Sequence, residues 1–523
     1  MRNIKILIWI FIFFIAGVSC LTATDFFTKV PIYGGEVQDM AICASSPSVI
    51  YTCGCYGGLW VSKDGGETWE ETAFYDTPTP GSGAGLVGGA NFVAVHPTLP
   101  NVAVASQFGS FPNKLFRSED YGQTWTEVGN SEIYSQNVNI MRIVASEKTP
   151  GTFYLIGNNF TTLNSVFYKS TDAGKTWTNS VNIVSGKAVW SLCVDKNDVL
   201  YAAVVDAAPA VDLKTDTLTS GWLYKSTNGG SNWTNIKIFD ACPQYMAISS
   251  NTLTVATGGG AVGSIYISTT AGQSFVSKYA SRGILAVSTD GAKVYNYSNN
   301  RVNVSLNTGS AWSDFTAIST GALCGIRPVS VTSILIDPVN PNNVFITDAY
   351  QDAFLKSTDT AVTWRISNKG LGGLIVYDGC KDPGGNIYIL GRMAVFKSSD
   401  NGTTWSEVFN SSGVDFTNGI VASPTTSYVF VSGYGRLWRS VDAGASWAEV
   451  LSVSGCEAVG KIVFNKDNPS IGYIGFRKSN PTGSTQGKYV YKTTNYGATW
   501  GNLDLTGHSV QSLAIDPQNP AVL

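Results

Sequence analysis

Residues 170–177 read Ser-Thr-Asp-Ala-Gly-Lys-Thr-Trp, an eight-residue motif that recurs along the whole chain. The shortest spacing separates the copies that end at Phe275 and Trp312, and the longest is shared by the copies that end at Trp69 and Trp125 and those that end at Trp177 and Trp233. A motif that returns at this period predicts a repeat architecture, in which each copy belongs to one supersecondary unit. Eight full copies end at Trp69, Trp125, Trp177, Trp233, Trp364, Trp405, Trp447 and Trp500, and two degenerate copies end at Phe275 and Trp312.

The residue types of the motif suit a tight hairpin. Asp172 can accept hydrogen bonds from backbone N–H groups of its own turn, and Gly174 can supply the positive φ that closes it. Trp177 then packs as a large apolar plug beneath the turn. Because every repeat needs this turn, we interpret the motif aspartates as structural rather than as catalysts or calcium ligands. They are Asp64, Asp120, Asp172, Asp359, Asp400 and Asp442.

Short apolar segments surround each motif, three before it and one after it. Before the copy that ends at Trp364, for example, the segments SILIDPVNP, NVFITD and AFLKS follow one another. This pattern predicts a four-stranded antiparallel sheet per repeat, and repeated sheets of this kind form β-propellers. The sequence therefore predicts an all-β protein built of propeller blades, each with one motif hairpin.

Composition limits the classes of function. Hydrophobic residues make up 44% of the 523 residues, which is enough for packed cores. The net charge of -3 gives no positive field for a phosphate backbone, so nucleic-acid binding is not expected. With only His96 and His508, a multi-histidine metal site or a Ser-His-Asp triad has few residues to draw on. No metal or cofactor is expected.

The first 20 residues have the pattern of a secretory signal. Arg2 and Lys5 precede an apolar stretch over 6–18, which is short for a membrane-spanning helix. Two alternatives are an uncleaved membrane anchor and a lipid anchor on Cys20. No later segment is apolar enough to span a bilayer, so we expect a secreted or cell-surface protein. Eight cysteines remain after Cys20, and they are expected to be buried thiols or local disulfides.

The motif resembles the Asp-box, or bacterial neuraminidase repeat, of a β-propeller superfamily that includes sialidases, sortilin and xyloglucanase-type glycoside hydrolases. The stretch 34–60 is most similar to the xyloglucanase-type hydrolases, and sortilin-type propellers are the second choice. That resemblance implies a catalytic base at the position of Cys55, where this chain has a thiol instead of a carboxylate. The matching residues are Gly34, Gly35, Val37, Pro47, Val49, Ile50, Tyr51, Gly57 and Gly58.

The same resemblance implies a catalytic acid in a second propeller, within a Gly-Asp-x-Gly-Gly-Phe context. Residues 347–354 match this context imperfectly, which makes Asp348 and Asp352 candidates for the acid, with turn or surface roles as the alternative. Asp39 is a candidate to replace the missing base. Two acting carboxylates would have to face each other across the sugar, at a distance that sequence does not give.

The resemblance also implies two tandem propellers. A Gly-Ala-Leu-Cys-Gly stretch and Arg327-Pro328 precede a fresh strand, so we place a first propeller at 21–328 and a second at 329–523. One propeller of about ten blades is the alternative. Residues 515–523 repeat 336–344, which opens another repeat, so the second propeller is expected to be truncated at its C-terminal end.

Aromatic residues outside the motifs are candidates for stacking on sugars. Trp60, Trp222 and Trp438 lie on or beside strands that enter a motif, where packing between blades is the ordinary role, whereas Trp190 begins a strand nearer the central channel. Tyr56 is a further candidate, next to Cys55.

Two classes of function remain open. One is a non-catalytic exported module that binds a polysaccharide or a surface protein, and the other is a xyloglucanase-type hydrolase that cleaves β-glucan. Because a thiol does not readily replace a carboxylate that activates water, Cys55 favours the binding module.

Overall fold

A computed structural model of the chain describes most of residues 34–516. Outside the described residues are 1–33, 36, 55–57, 75–88, 108–113, 130, 136–137, 160, 163, 179–180, 207–219, 259–262, 280–282, 299–300, 315–330, 349–353, 368, 370–371, 374–375, 392–393, 411–418, 455, 459–461, 466, 479–488, 504–509, 511–512 and 517–523. The expected signal segment 1–20, with Cys20, therefore lies outside them.

The regular secondary structure of the described residues is almost entirely strand, with one short helix, α1 (Ser131–Ser135). A two-stranded parallel pair joins β1 (Gly34–Gly35) to β30 (Gly372–Gly373). The other strands form ten antiparallel sheets, numbered here in chain order.

Sheets 1 to 4 consist of β2 (Asp39–Cys43), β3 (Ser46–Gly54), β4 (Gly58–Ser62), β5 (Glu70–Glu71); β6 (Ala90–Val95), β7 (Ala103–Gln107), β8 (Leu115–Ser118), β9 (Thr126–Glu127); β10 (Val138–Ala145), β11 (Phe153–Asn159), β12 (Asn164–Ser170), β13 (Val181–Val184); and β14 (Lys187–Val194), β15 (Leu200–Asp206), β16 (Gly221–Ser226), β17 (Thr234–Phe239). Sheets 5 to 7 consist of β18 (Cys242–Ser249), β19 (Thr252–Gly258), β20 (Ser264–Ser268), β21 (Val276–Tyr279); β22 (Ile284–Val287), β23 (Val294–Ser298), β24 (Arg301–Ser305), β25 (Ser313–Asp314); and β26 (Val331–Ile336), β27 (Val344–Asp348), β28 (Phe354–Ser357), β29 (Arg365–Ile366). Sheets 8 to 10 consist of β31 (Asp378–Lys381), β32 (Ile387–Leu390), β33 (Ala394–Ser398), β34 (Ser406–Asn410); β35 (Gly419–Ala422), β36 (Val429–Gly433), β37 (Arg436–Ser440), β38 (Ala448–Ser452); and β39 (Cys456–Ala458), β40 (Val463–Phe464), β41 (Gly472–Lys478), β42 (Val490–Thr493), β43 (Gly501–Asn502).

Each sheet takes its strands in chain order, and the motif turn joins the third strand to the fourth. In sheet 10, β40 is an additional short strand that pairs with β41. This arrangement confirms the prediction of an all-β protein built of four-stranded antiparallel blades.

Sheets 1 to 7 form a closed ring. The first strand of each sheet contacts the first strand of the next, in the order β2, β6, β10, β14, β18, β22 and β26, and β26 contacts β2 again. The expected boundary at 328/329 falls between sheets 6 and 7 of this ring. Because sheet 7 packs on sheet 1, we propose that the boundary between the two groups of sheets lies between residues 373 and 378.

Contacts between sheets 7 and 1 close the ring without exchanging a strand. Trp69 packs against Phe354, with ring centroids 4.6 Å apart, and its indole N–H donates to the carbonyl of Ser367 at 2.8 Å. The Ser367 hydroxyl donates to the carbonyl of Gly66 at 2.5 Å. Lys356 forms an ion pair of 2.7 Å with Glu67. These partners lie about 300 residues apart in the chain, so the ring depends on long-range contacts.

The motif turn is held by its serine and its aspartate. Asp172 accepts from the Thr176 backbone N–H at 2.9 Å and from its hydroxyl at 2.6 Å. Ser170 donates to Asp172 at 2.8 Å and accepts from the Gly174 N–H at 3.0 Å. Gly174 has a φ of 82°, and a Cβ there would lie 2.5 Å from Val104 of sheet 2. The same hydrogen bonds occur at Asp64, Asp120, Asp359, Asp400 and Asp442, although at Asp359 an alanine replaces the glycine.

A basic residue at the end of the third strand connects each of several sheets to the next one. We call this contact the interblade clamp: the side-chain N–H donates to the carbonyl of the fourth motif residue in the following sheet. Lys225 of sheet 4 donates to Ala271 of sheet 5 at 3.0 Å, and Lys397 of sheet 8 donates to Ala443 of sheet 9 at 2.8 Å. The other clamps are Arg117 to Ala173 and, across the ring closure, Lys356 to Gly65.

Replacing a motif aspartate tests the turn. Hydrogen bonds from Ser446 hold the pKa of Asp442 at about 2, below its usual range, so its stabilisation is present at neutral pH and is lost as the pH falls toward 2. We expect Asp442→Ala to lower the Tm at pH 7. Asp442→Asn should be tolerated, because Asn495 occupies the same motif position and its amide donates to the Thr499 hydroxyl at 2.8 Å. Thermal melts at pH 7 and pH 2.5 should show the gap between the Ala variant and the wild type narrowing at low pH. Equal melting of the Ala variant and the wild type would contradict this account.

Removing the clamp at the ring closure should destabilise the ring. Lys356→Met leaves the Gly65 carbonyl without its donor, and we expect a loss of about 1–3 kcal/mol in the free energy of unfolding. Urea unfolding measures this change. Lys63→Met is the matched control, because the Lys63–Glu70 ion pair is exposed and should contribute less than about 1 kcal/mol. Equal effects of the two substitutions would show that the clamp does not stabilise the closure.

Candidate functional site

Asp39 is the first residue of β2 and lies at the inner edge of the ring. It follows a glycine-containing segment, and its side chain is 2% exposed. A carboxylate buried to this degree requires compensating partners, because transfer of a charge out of water is costly. Its hydrogen bonds therefore define the surroundings of the site.

Asp39 connects three consecutive sheets. Its Oδ1 accepts from Nη1 of Arg142, on β10 of sheet 3, at 2.8 Å, and its Oδ2 accepts from the N–H of Val93, on β6 of sheet 2, at 3.3 Å. The Thr52 hydroxyl donates to the Asp39 backbone carbonyl at 3.1 Å. Because Arg142 reaches past sheet 2 to meet sheet 1, the ion pair lies on the inner side of the ring.

Burial raises the pKa of Asp39, while the charge of Arg142 and the hydrogen bonds oppose this rise. The Arg142 side chain is 36% exposed, so the pair has one buried and one accessible partner. Chemically, the site offers a guanidinium group whose position is fixed by a buried carboxylate.

Five first strands of the ring contain a β-bulge near their beginning. One residue of each strand is left out of the pairing with the second strand, and each of these five residues is half-buried. We call them the bulge residues: Asn91, Met141, Trp190, Gln244 and Thr332.

The side chains of two bulge residues already make contacts within the protein. Met141 packs against the apolar cluster between sheets 3 and 4, and the Thr332 hydroxyl donates to the Val37 carbonyl at 2.6 Å. Asn91, Trp190 and Gln244 differ from them, because their side-chain polar groups make no hydrogen bond with the described part of the protein. Three half-buried side chains on sheets 2, 4 and 5 are thus available to a ligand.

The other tryptophans that the sequence singled out are part of the core. Trp60 is 1% exposed and packs between sheets 7 and 1, and Trp438 is 7% exposed and packs between sheets 8 and 9. Trp222 packs at the cluster of sheets 3 and 4, and the Lys187 ammonium covers its ring at 3.5 Å from the centroid. Of the predicted stacking residues in the described part of the chain, Trp190 alone belongs to none of these clusters.

The remaining candidates for catalysis are not gathered at Asp39. Asp348 ends the second strand of sheet 7, where its backbone pairs with Val331, and thus belongs to the first ring rather than to a second propeller. Cys55, Tyr56 and Asp352 lie outside the described residues. In the described part of the chain, no group of three or more His, Cys, Asp or Glu side chains could hold a metal ion.

Sequence reasoning missed Asp378, the counterpart of Asp39 in sheet 8. Asp378 is the first residue of β31 and accepts from the N–H of Ile420, on the first strand of sheet 9, at 3.0 Å. The backbone N–H of Tyr377 donates to the Leu390 carbonyl at 2.9 Å, as the backbone N–H of Gln38 does to the Cys53 carbonyl at 2.7 Å. A signal was available, because a Gly-Gly pair precedes each aspartate and the two pairs are hydrogen-bonded to each other as β1 and β30.

The buried cysteines Cys43, Cys193 and Cys242 are free thiols. Cys43 donates to the carbonyls of His96 and Pro97, and burial raises the pKa of the Cys242 thiol to about 12. These thiols behave as small core residues rather than as nucleophiles. No helix among the described residues is long and apolar enough to span a membrane.

Comparisons with known proteins agree with the repeat architecture. Residues 115–128 match the model of the BNR-Asp box repeat, and residues 60–71 match that of the BNR/Asp-box repeat. A xyloglucanase from Paenibacillus sp is 29% identical over 210 residues, which are 36% of this chain and 19% of that protein. The chain therefore spans less than a fifth of the length of this curated relative.

The similarity of this chain to solved structures concerns its fold and does not extend to its activity. The GH74 xyloglucanase from Xanthomonas campestris aligns with a TM-score of 0.54 at 12% identity, covering 91% of this chain and 81% of that one. A GH74 enzyme from Niastella koreensis aligns with a TM-score of 0.43 at 17% identity, covering 90% and 78%. The Asp-box repeats, the β-propeller fold and the similarity to xyloglucanases are thus confirmed.

Breaking the ion pair should make stability depend on pH. Arg142→Met leaves the Asp39 carboxylate buried without its cation, which raises the pKa of Asp39 further. Protonation then favours the folded state, so the stability of the variant should fall as the pH rises through that pKa. We expect a loss of about 1–3 kcal/mol at pH 8 and a smaller loss at pH 5, measured by urea unfolding.

The double variant Asp39→Asn/Arg142→Met is the matched control, because it removes both charges. It should recover part of the stability and lose the added pH dependence. If the single variant lost the same free energy at pH 5 and pH 8, Asp39 would not be the titrating partner.

Proposed function

We propose that this chain is an exported, non-catalytic binding protein for a polysaccharide of the β-glucan class. The similarity to a xyloglucanase supports this class of ligand, since such a relative acts on xyloglucan. The basic and apolar pattern of residues 1–20 supports export, with a lipid anchor on Cys20 as a variant of the same proposal.

One observation carries the choice of binding over catalysis: two equivalent stretches of sequence lack a carboxylate. Sheets 1 and 8 begin alike at Asp39 and Asp378, so the residues that stand between their second and third strands in the sequence correspond. This stretch of sheet 1 reads Gly54-Cys55-Tyr56-Gly57, with Cys55 where the resemblance implies the base.

The corresponding stretch of sheet 8 covers 391–396 and reads Gly-Arg-Met-Ala-Val-Phe. In the Gly-Asp-x-Gly-Gly-Phe context that the resemblance implies, the aspartate is the catalytic acid. The stretch of sheet 8 has the same first glycine and the same final phenylalanine, but Arg392 stands at the position of the aspartate. Glycoside hydrolysis of this kind requires an acid and a base or nucleophile, each usually a carboxylic residue. A thiol at one position and a guanidinium at the other supply neither.

A glycoside hydrolase is the second candidate. Asp39 favours it, because a buried carboxyl with a raised pKa is suited to act as a general acid. Its oxygens, however, are already bound to Arg142 and to the N–H of Val93. A surface protein is the alternative partner for the binding module, and no described contact favours it over a glycan.

The test uses the chain without residues 1–20, incubated with xyloglucan and with unbranched β-glucan. We expect binding by affinity electrophoresis and no release of reducing ends. Release that is abolished by Asp39→Ala or by Asp348→Ala, in variants that remain folded, would establish a hydrolase. Absence of both binding and cleavage, with the protein folded, would contradict the proposed ligand class.

A further inference from the structure

We propose that the inner end of the seven-sheet ring binds a single sugar residue of this polysaccharide, through Asn91, Arg142, Trp190 and Gln244. This inference rests on the proposed function and deepens it by naming the site. The four residues belong to the first strands of sheets 2, 3, 4 and 5, which follow one another around the ring.

Trp190 provides the apolar surface. It is half-buried, and among the tryptophans of the described residues it is the one that packs in no hydrophobic cluster. The bulge takes it out of the ladder between β14 and β15, and bulges of this kind redirect a side chain. An indole that is held by the backbone but unused by the core is suited to stack on the C–H face of a sugar.

The amides on either side of Trp190 provide hydrogen bonds. Asn91 and Gln244 occupy the equivalent bulges of sheets 2 and 5, and neither amide is bound by the described protein. The Gln244 carbonyl oxygen lies over Gly258, where a Cβ would come within 2.4 Å of it, so this side chain has a defined place rather than a free one. Each amide offers both a donor and an acceptor, as hydroxyl groups require.

Arg142 provides further hydrogen-bond donors, and Asp39 balances its positive charge. Asp39 binds Nη1 and neutralises the guanidinium, while the accessible part of the side chain keeps donors available. Asp39 is thus a positioning residue. Amides, an aromatic ring and a neutralised guanidinium suit an uncharged polyhydroxylated ligand better than an anion.

The geometry also limits the size of the bound unit. Residues on consecutive sheets of a closed ring converge on one axis instead of following a line across the surface. A site of this kind accepts one terminal or branch sugar, and it offers no row of subsites to a long chain.

Isothermal titration with xylose-branched gluco-oligosaccharides of increasing backbone length tests the site. We expect Trp190→Ala to weaken binding about tenfold or more, and Gln244→Ala about fivefold. Trp190→Phe keeps an aromatic face and should weaken binding less than Trp190→Ala. Gln123→Ala, at an exposed motif turn of sheet 2, is the control and should bind as the wild type does.

Thermal melts of each variant separate a loss of binding from a loss of folding. If the wild type binds while Trp190→Ala and Gln244→Ala bind equally well, the ligand lies elsewhere and the site is wrong, although the proposed function stands. If affinity increases tenfold or more with each lengthening of the backbone, recognition of a single sugar is wrong. If the wild type binds none of these sugars, both proposals fail.

Discussion

The architecture depends on a backbone carbonyl group of the Asp-box that accepts its hydrogen bond from the preceding sheet and not from its own turn. The serine and the aspartate satisfy the N–H groups of the turn, and the fourth motif residue is held in a left-handed conformation, as at Ala173 with a φ of 60°. Its carbonyl then accepts from the cation of the preceding sheet, as Ala173 does from Arg117 at 2.5 Å. A four-stranded sheet cannot cover both of its own faces, so each sheet needs its neighbours for stability. Each Asp-box therefore holds the turn of its own sheet and also binds the preceding sheet.

The sequence contains most of the fold, but not the number of sheets in the ring. Motif spacing and alternating segments predicted every sheet, because both are local signals. The ring closes through Trp69 with Ser367 and Lys356 with Glu67, and nothing in the local pattern distinguishes these pairs from others. The break near Arg327-Pro328 looked like a linker, since proline and glycine mark turns as readily as domain boundaries. Sheet 7 nevertheless packs on sheet 1.

The candidate site could be predicted only in part, because the sequence shows local signals but does not show which distant residues pair. Asp39 and Trp190 stood out, because an acid beside a glycine run and a tryptophan outside the motifs are unusual in this chain. Arg142 did not, since its pairing with Asp39 crosses 103 residues and an intervening sheet. The bulges were also not visible, because a bulged strand keeps the composition of a regular one. Asp348 lies on sheet 7, so its assignment to one group of sheets or the other depends on where the boundary is placed.

The strand order separates the two ends of every sheet. The first strand starts at one end, and because the strands are antiparallel, the third strand finishes at the other end. The Asp-boxes therefore lie at the end opposite to the bulges and Asp39. The motif end is constrained by hydrogen bonds that repeat from sheet to sheet, whereas the bulge end carries a different side chain on each sheet. This division explains why the motif identifies the fold and says little about the ligand, since recognition can change at one end without loosening the other.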